Sequence, residues 1–67
     1  MTREGAIEAI NLLVPEEERR KRIIENLVII PQRIWYKVQL GDAEVQIHCS
    51  KASILAPMWE LIKKSGM

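Results

Sequence analysis

Residues 33–50, RIWYKVQLGDAEVQIHCS, decide the fold of this 67-residue chain because they predict a β-hairpin. Gly41 and Asp42 lie between two alternating runs, and glycine supplies the positive φ that a two-residue type I′ or II′ turn requires. Pairing Leu40 with Ala43 across this turn sets the register of the strands. One face then carries three further pairs: Val38 with Val45, Tyr36 with Ile47 and Ile34 with Cys49. The hairpin is therefore expected to present an apolar face to the core.

The same register places polar and aromatic residues on the opposite face of the hairpin. Its pairs are Trp35 with His48, Arg33 with Ser50, Lys37 with Gln46 and Gln39 with Glu44. An exposed indole beside cations can anchor a protein partner or stack on a nucleic-acid base. The candidate partner-binding residues are Arg33, Trp35, Lys37, Gln46 and His48. In the alternative interpretation, another segment such as Ile29 and Ile30 covers Trp35, and the indole is then a core residue.

Two helices are predicted before the hairpin. In the first, Thr2 is the expected N-cap and Pro15 marks the end, because proline lacks the N–H that a helix interior requires. Its apolar stripe repeats at intervals of three and four residues and is formed by Ala6, Ile7, Ile10, Leu13 and Val14. Leu12 lies off this stripe, so the helix is expected to contact something on a second side.

The second helix is expected to start at Pro15, with a solvated charged half followed by an apolar half. Residues 16–22 are all charged, and acid–base pairs at four-residue spacing should support the helix. These pairs are Glu16 with Arg20, Glu17 with Lys21 and Glu18 with Arg22. The apolar half is formed by Ile23, Ile24, Leu27 and Val28. Because residues before proline avoid the α region, residues 29–31 are expected to form an extended exit.

The last segment predicts the most amphipathic helix of the chain. One face is apolar and is formed by Ile54, Leu55, Met58, Trp59, Leu61 and Ile62. Two starting points are open: an early turn capped by Ser50 or Ser53, or a start at Pro57. Gly66 favours a C-terminus just before it.

Together these elements predict one α+β domain over residues 1–67, in the order helix, helix, hairpin, helix (α-α-β-β-α), with helices covering a two-stranded antiparallel hairpin. A core of this size contributes only about 3–5 kcal/mol of net stability, so such chains rely on disulfides, a metal or self-association. Cys49 is the only cysteine, which excludes an intrachain disulfide and favours a reducing compartment. We therefore expect a cytoplasmic protein that forms a homodimer.

Several function classes are not expected from the residue pattern. His48 and Cys49 are the only soft metal ligands, and neighbouring strand residues point to opposite faces, so neither a metal nor another cofactor is predicted. Cys49 is instead expected to be a buried apolar residue. The only histidine, His48, is expected on the solvent face of the hairpin with no pocket to desolvate it, so we expect neither an enzyme nor a small-molecule substrate. The longest aliphatic run, residues 27–30, is too short to cross a membrane, and no membrane partner is expected.

Nucleic-acid binding is the alternative function. The element order resembles that of the smallest winged-helix DNA-binding proteins, such as phage and transposon excisionases. The chain departs from that pattern at the short turn Val14-Pro15 and at the hairpin tip, which carries Asp42 and Glu44. The net charge is only +1, from 10 basic and 9 acidic residues, which gives little long-range attraction to a phosphate backbone. The contacts expected for this alternative are Arg19, Arg20, Arg22, Arg33, Trp35 and Lys37.

A nearly neutral domain with an exposed aromatic face is typical of a protein that works by binding. The sequence therefore predicts a non-enzymatic protein–protein interaction or regulatory module, whose partner is another protein or a second copy of the chain. The alternative is a small nucleic-acid-binding regulator. Both hypotheses require Trp35 to face away from the core.

Overall fold

The structure, a computed structural model, describes all residues from Met1 to Met67. Its elements are α1 (Arg3–Leu13), α2 (Glu17–Asn26), β1 (Leu27–Pro31), β2 (Trp35–Leu40), β3 (Ala43–His48) and α3 (Leu55–Ser65). The strands form one three-stranded antiparallel sheet in the order β1-β2-β3. The predicted α+β class is confirmed, whereas the predicted number of strands, two, is wrong because a third strand, β1, joins the hairpin.

Strand β1 is the main difference from the expected fold. We expected Leu27 and Val28 in the second helix, but α2 ends at Asn26. Residues 28–30 are β-branched and favour an extended backbone. In the sheet, Leu27 lies opposite Leu40, and both side chains are buried on the side that faces the helices. The segment expected to be an extended exit is therefore a paired edge strand.

The predicted register of the hairpin is confirmed. The paired residues on the core side are Leu40 with Ala43, Val38 with Val45 and Tyr36 with Ile47. Gly41 has a φ of 59°, and no non-glycine residue has a positive φ. Since only the first turn residue is left-handed, the turn is type II′ rather than type I′. This turn fixes which side chains of β2 and β3 face the helices.

The pair at the open end of the hairpin differs from the prediction. Ile34 and Cys49 were expected to point into the core, but Ile34 is 52% exposed and Cys49 is also exposed. The Cys49 N–H still donates to the Ile34 carbonyl at 2.8 Å. Because β3 ends at His48 and the chain turns immediately afterwards, Cys49 lies beyond the cover that the helices give to the sheet.

Of the three helices, only α1 has a side-chain N-cap hydrogen bond. The Thr2 hydroxyl accepts from the Gly5 N–H at 3.0 Å, as predicted for α1. Helix α2 begins at Glu17 rather than at Pro15. Helix α3 begins at Leu55, between the two predicted starting points. Pro57 therefore lies in the first turn, where its missing N–H has no intrahelical acceptor to lose.

The charged segment of α2 pairs differently from the prediction. Of the three expected pairs at four-residue spacing, only Glu17 with Lys21 forms, at 3.7 Å. Arg19 lies 3.9 Å from Glu16. Arg20 does not pair with a carboxylate and instead donates to the carbonyls that end α1, as described below. The charged half of α2 is thus not only solvated, because Arg20 also binds the backbone that follows α1.

Arg3 makes a connection that the sequence did not predict. Its guanidinium donates through Nη1 to the Leu27 carbonyl at 3.1 Å and through Nη2 to the Ile24 carbonyl at 3.0 Å. These carbonyls lie at the end of α2 and the start of β1, where a helix leaves backbone acceptors unpaired. Arg3 therefore ties the start of α1 to the outer edge of β1.

The core lies between the helices and one face of the sheet. Helix α3 packs against β3 and β2, and α1 packs against α2 and α3. Thirteen buried residues form it: Ala6, Ala9, Ile10, Val14, Ile23, Leu27, Val38, Leu40, Ala43, Ile47, Met58, Leu61 and Ile62. All thirteen are apolar. None of the three helices has the length and apolar character needed to cross a membrane.

Candidate protein-interaction surface

The sheet has one face turned away from the core, which we call the open face. Its residues alternate with the buried ones along each strand and are exposed or half-buried. They are Val28, Ile30, Trp35, Lys37, Gln39, Glu44, Gln46 and His48. The predicted binding residues of β2 and β3 therefore lie together on one surface.

Trp35 and His48 form the aromatic centre of the open face. They lie directly opposite each other on β2 and β3, and their rings meet edge to face with centroids 4.9 Å apart. Trp35 remains 40% exposed. The indole is therefore neither sealed in the core nor covered by Ile29 and Ile30, because β1 lies beside β2 rather than over it.

The imidazole of His48 is held by the residue that follows the strand. Its Nδ1 accepts from the Ser50 N–H at 3.1 Å and lies 2.7 Å from the Ser50 hydroxyl. A ring nitrogen that accepts an N–H carries no proton, so the neutral ring has its proton on Nε2. The ring that Ser50 holds in this way is the one that meets the indole of Trp35.

The charged side chains of the open face partly neutralise one another near the hairpin tip. Glu44 Oε1 lies 4.0 Å from Lys37 Nζ and accepts from Gln39 Nε2 at 2.9 Å. Lys37 is thus a less available cation than the sequence indicated. Arg33 is exposed in the turn before β2 and makes no ion pair in the structure.

Val28 and Ile30 are site residues that sequence reasoning missed. They lie opposite Gln39 and Lys37 and are 46% and 38% exposed. Ile30 is a diagonal neighbour of Trp35 across the β1–β2 pair, within reach of an aromatic side chain. The signal that could have revealed them is the β-branched run before Pro31, which also fits a strand. They extend the aromatic centre into a continuous apolar strip.

A pocket of about 310 Å³ adjoins the aromatic centre. It is lined by Trp35, Gln46, Ile47, His48, Lys51 and Pro57. Lys51 is exposed and makes no ion pair. The predicted residues Trp35, Gln46 and His48 therefore share one concave surface, with a cation at its rim that the sequence did not single out.

The arginines of the nucleic-acid alternative are not equally available. Arg20 donates to the Val14 carbonyl at 3.2 Å and to the Pro15 carbonyl at 3.0 Å. Arg19 Nε donates to the Met67 carbonyl. Arg22 is exposed without an ion pair. Two of the three α2 arginines thus connect elements within the chain.

A second apolar surface lies between α1 and α3. This groove of about 390 Å³ is lined by Leu12, Leu13, Leu55, Ala56 and Trp59. Leu12 is 76% exposed. Leu55 and Trp59 were expected on the buried face of the last helix, but each is 39% exposed. The core buries only part of the apolar face of α3. The remaining part, Leu55 and Trp59, lines the groove.

The open face and the groove between α1 and α3 are two exposed apolar surfaces of the chain. Comparisons with protein-family models, with curated proteins and with solved structures found no match. The function is therefore inferred from these two surfaces.

Proposed function

We propose that this protein is a non-enzymatic protein-interaction module that binds a polypeptide partner on the open face of its sheet. The observation that supports this most directly is the apolar strip of Val28, Ile30 and Trp35, which is exposed on ordered strands. A contiguous exposed apolar surface with a polar rim is typical of an interaction site. The polar residues that flank the strip on this face are Lys37, Gln39 and Gln46, and Arg33 precedes it in the bend before β2.

Trp35 is the anchor of this proposal. Tryptophan is enriched among the residues that dominate binding energy, because a large ring can be desolvated at little cost in conformational entropy. The edge-to-face contact with His48 at 4.9 Å already orders the indole before binding. A partner would therefore lose little affinity to the ordering of this side chain.

A nucleic-acid-binding regulator is the second candidate. The observation in its favour is that Arg33 is exposed without an ion pair and lies two residues before the exposed Trp35 in the chain, a combination that suits base stacking with a phosphate contact. The net charge of +1 is low for this function. Lys37 also lies within 4.0 Å of a carboxylate oxygen of Glu44. We therefore rank it below protein binding.

The test of protein binding is retention of a partner from native lysate on immobilised protein. Trp35→Ala is compared with Ile34→Ala, since Ile34 is adjacent, is more exposed at 52% and lies outside the open face. We expect a polypeptide that is retained by the wild type and Ile34→Ala and lost with Trp35→Ala. Equal retention by all three proteins would contradict the proposed site.

The same variants test the alternative with a labelled single-stranded and a labelled duplex oligonucleotide. Affinity that falls steeply as salt rises, and that is lost in Trp35→Ala combined with Lys37→Ala, would establish nucleic-acid binding. Absence of binding at low salt would eliminate the alternative.

A further inference from the structure

Strand β3 points backbone groups outward along one edge of the sheet. In an antiparallel pair, residues that bond to the neighbouring strand alternate with residues whose N–H and carbonyl groups point away from it. The Cys49 N–H donates to the Ile34 carbonyl, so β3 bonds to β2 at every second residue counted from Cys49. The residues in between, which point outward, are Glu44, Gln46 and His48.

These outward groups have no strand to pair with, because β3 is the last strand of the sheet. None of the backbone hydrogen bonds outside the helices and strands comes from the N–H of Glu44, Gln46 or His48. The His48 carbonyl accepts from the Lys51 N–H at 3.0 Å, which agrees with its outward direction. The edge of β3 therefore offers donors and acceptors at intervals of two residues.

Strand β1, at the other edge of the sheet, is blocked. The Gln32 N–H donates to the Trp35 carbonyl, which sets the same alternation between β1 and β2. The outward residues of β1 are Leu27, Ile29 and Pro31. The Leu27 carbonyl accepts from Arg3 at 3.1 Å, and Pro31 has no N–H to donate. Proteins protect edge strands by such blocking, so β3 is the open edge of this sheet.

The pocket beside the aromatic centre lies at the open edge of β3. Trp35 and His48 line it from the open face, whereas Pro57 lines it from the first turn of α3, on the helix side of the sheet. A cavity that touches both sides of a sheet lies at its edge, since the strands separate the two sides elsewhere. Lys51 also lines this pocket, is exposed and makes no ion pair. The open edge thus has a recess and a free cation beside it.

We propose that an extended segment of the partner polypeptide adds to β3 as a fourth strand. This inference rests on the proposed function and names the way in which the partner binds. The main chain of the segment pairs with the outward groups of Glu44, Gln46 and His48, as in other cases of strand addition to a sheet edge. The side chain opposite His48 lies on the open face, in line with the Trp35–His48 pair.

The chemistry of the edge specifies the segment. Donors and acceptors that repeat every two residues are matched together by another extended chain, because its backbone repeats at the same interval. The pocket accepts an apolar side chain of this segment, since Trp35 and Pro57 contribute apolar surface. A carboxylate beside that side chain pairs with Lys51. The expected segment is therefore extended, with an apolar and an acidic residue at the His48 end of β3.

A second copy of β3 fits this edge less well than a different polypeptide. The side chains that it would bring to the open face are Glu44, Gln46 and His48, and none of them is apolar. Glu44, the only carboxylate of β3, already accepts from Gln39 and lies 4.0 Å from Lys37 Nζ. The second copy therefore supplies neither the apolar side chain nor a free carboxylate.

The first test uses short peptides from a random phage-displayed library, selected on the immobilised wild-type protein. The tightest peptide is synthesised with a fluorescent label, and its backbone N–H groups are methylated one at a time. Methylation removes a donor and blocks strand pairing on that side of the peptide. We expect the dissociation constant to rise by about tenfold or more at every second residue and to change little at the residues between.

The second test changes the edge of the protein. Gln46→Pro removes an outward N–H that β2 does not use, which a sheet edge tolerates, and it should weaken binding of the peptide by about tenfold. Gln46→Thr changes the same side chain, keeps the N–H and should bind like the wild type. Circular dichroism checks that both variants are folded.

The charge of Lys51 is tested with a matched pair of variants. Lys51→Glu should weaken binding of the peptide by about fivefold, since exposed ion pairs contribute only modestly. Lys64→Glu makes the same charge change at an exposed site on α3 outside the pocket and should leave the affinity unchanged.

Hydrogen exchange tests the pairing without any variant. In the free protein, the amides of Glu44, Gln46 and His48 should exchange faster than those of Val45 and Ile47, which lie at positions bonded to β2. Saturation with the peptide should slow exchange at the three outward amides.

Three results would overturn strand addition. The first is a library that yields no binding peptide although a partner is retained from lysate. The second is a peptide whose methylation effects do not alternate, or that leaves the outward amides unprotected. The third is a dimer of the pure protein, measured by sedimentation, that Gln46→Pro dissociates, because a second copy then occupies the edge.

Failure of the edge and failure of the open face are distinguishable with the same peptide. A peptide that needs Trp35 but shows no alternation leaves the proposed binding surface in place and removes strand addition. A peptide that alternates and protects the outward amides, but binds Trp35→Ala as tightly as the wild type, supports strand addition and removes Trp35 as the anchor.

Discussion

The indole of Trp35 meets the imidazole of His48 edge to face, with the ring planes at 89° and the centroids 4.9 Å apart. The two residues form a pair in which side chains approach closely, because the backbone hydrogen bonds of this hairpin run through the neighbouring positions. The contact joins Trp35, on which the proposed binding surface depends, to an imidazole that is itself hydrogen-bonded to Ser50.

Removal of the imidazole should release the indole. In a Trp59→Phe background, which leaves Trp35 as the only tryptophan, His48→Ala should shift the emission to longer wavelength and increase quenching by acrylamide. The free energy of unfolding should fall by only about 0.2–1 kcal/mol, as for other cross-strand pairs. Unchanged emission and quenching would show that His48 does not position Trp35.

Two aliphatic residues of α1 should respond very differently to truncation. Ile10 is 0% exposed and Leu12 is 76% exposed. Ile10→Ala should lower the free energy of unfolding by about 2–5 kcal/mol, because it leaves a cavity in the core. Leu12→Ala should change it by less than about 0.5 kcal/mol. Urea unfolding at a concentration where the protein is monomeric measures both, and equal losses would contradict the packing of α1.

Replacement by alanine should change the free energy of unfolding in opposite directions at two glycines. Gly41 has a φ of 59° in the hairpin turn, so Gly41→Ala should lower the free energy of unfolding by about 1–2 kcal/mol. Gly5 lies in α1, where an added Cβ would lie 3.5 Å from the Thr2 hydroxyl oxygen. Gly5→Ala should therefore raise it by about 0.5–1 kcal/mol. Thermal unfolding measures both changes, and a neutral Gly41→Ala would argue against a type II′ turn.

Arg3 should contribute more to stability than Arg22. Arg3→Ala removes hydrogen bonds to the Ile24 and Leu27 carbonyls and should cost about 1 kcal/mol. Arg22→Ala, at an exposed site without an ion pair, should cost less than about 0.5 kcal/mol. Hydrogen exchange should also accelerate around the end of α2 in Arg3→Ala alone. Identical effects of the two variants would rule out a linking role for Arg3.

The hairpin could be predicted because its signals are local and agree. The Gly41 turn and the alternation on both sides of it specify the same register, and one slipped residue would turn Val38 and Ile47 to solvent. The face of the sheet on which Trp35 lies was therefore predicted correctly. The register could not predict that Cys49 is exposed. The exposure of Cys49 depends on how far along the sheet the helices make contact.

The residues of strand β1 do not by themselves decide between a helix and a strand. Leu27 and Val28 follow Ile23 and Ile24 at the four-residue spacing of a helix, so the same residues fit a helical stripe or a strand. Pairing with β2 selects the strand. The partner residues lie beyond the turn at 32–34, so a helical stripe within residues 23–28 does not reveal them. The exposed strip of Val28 and Ile30 was missed for the same reason.

The groove was not predicted because an amphipathic pattern shows which side of a helix is apolar. It does not show how much of that side the rest of the protein buries. Leu55 and Trp59 belong to the apolar face of α3 by spacing, yet the core beneath covers only the part that contains Met58, Leu61 and Ile62. The position of α1 relative to α3 decides what remains exposed. That position depends on tertiary packing and cannot be predicted from the sequence of either helix alone.

The open face and the groove lie on opposite sides of a thin molecule, whose shortest extent is 17 Å. A partner seated on the open face would therefore leave the groove between α1 and α3 uncovered. The resulting complex would still present an exposed apolar surface to a further molecule.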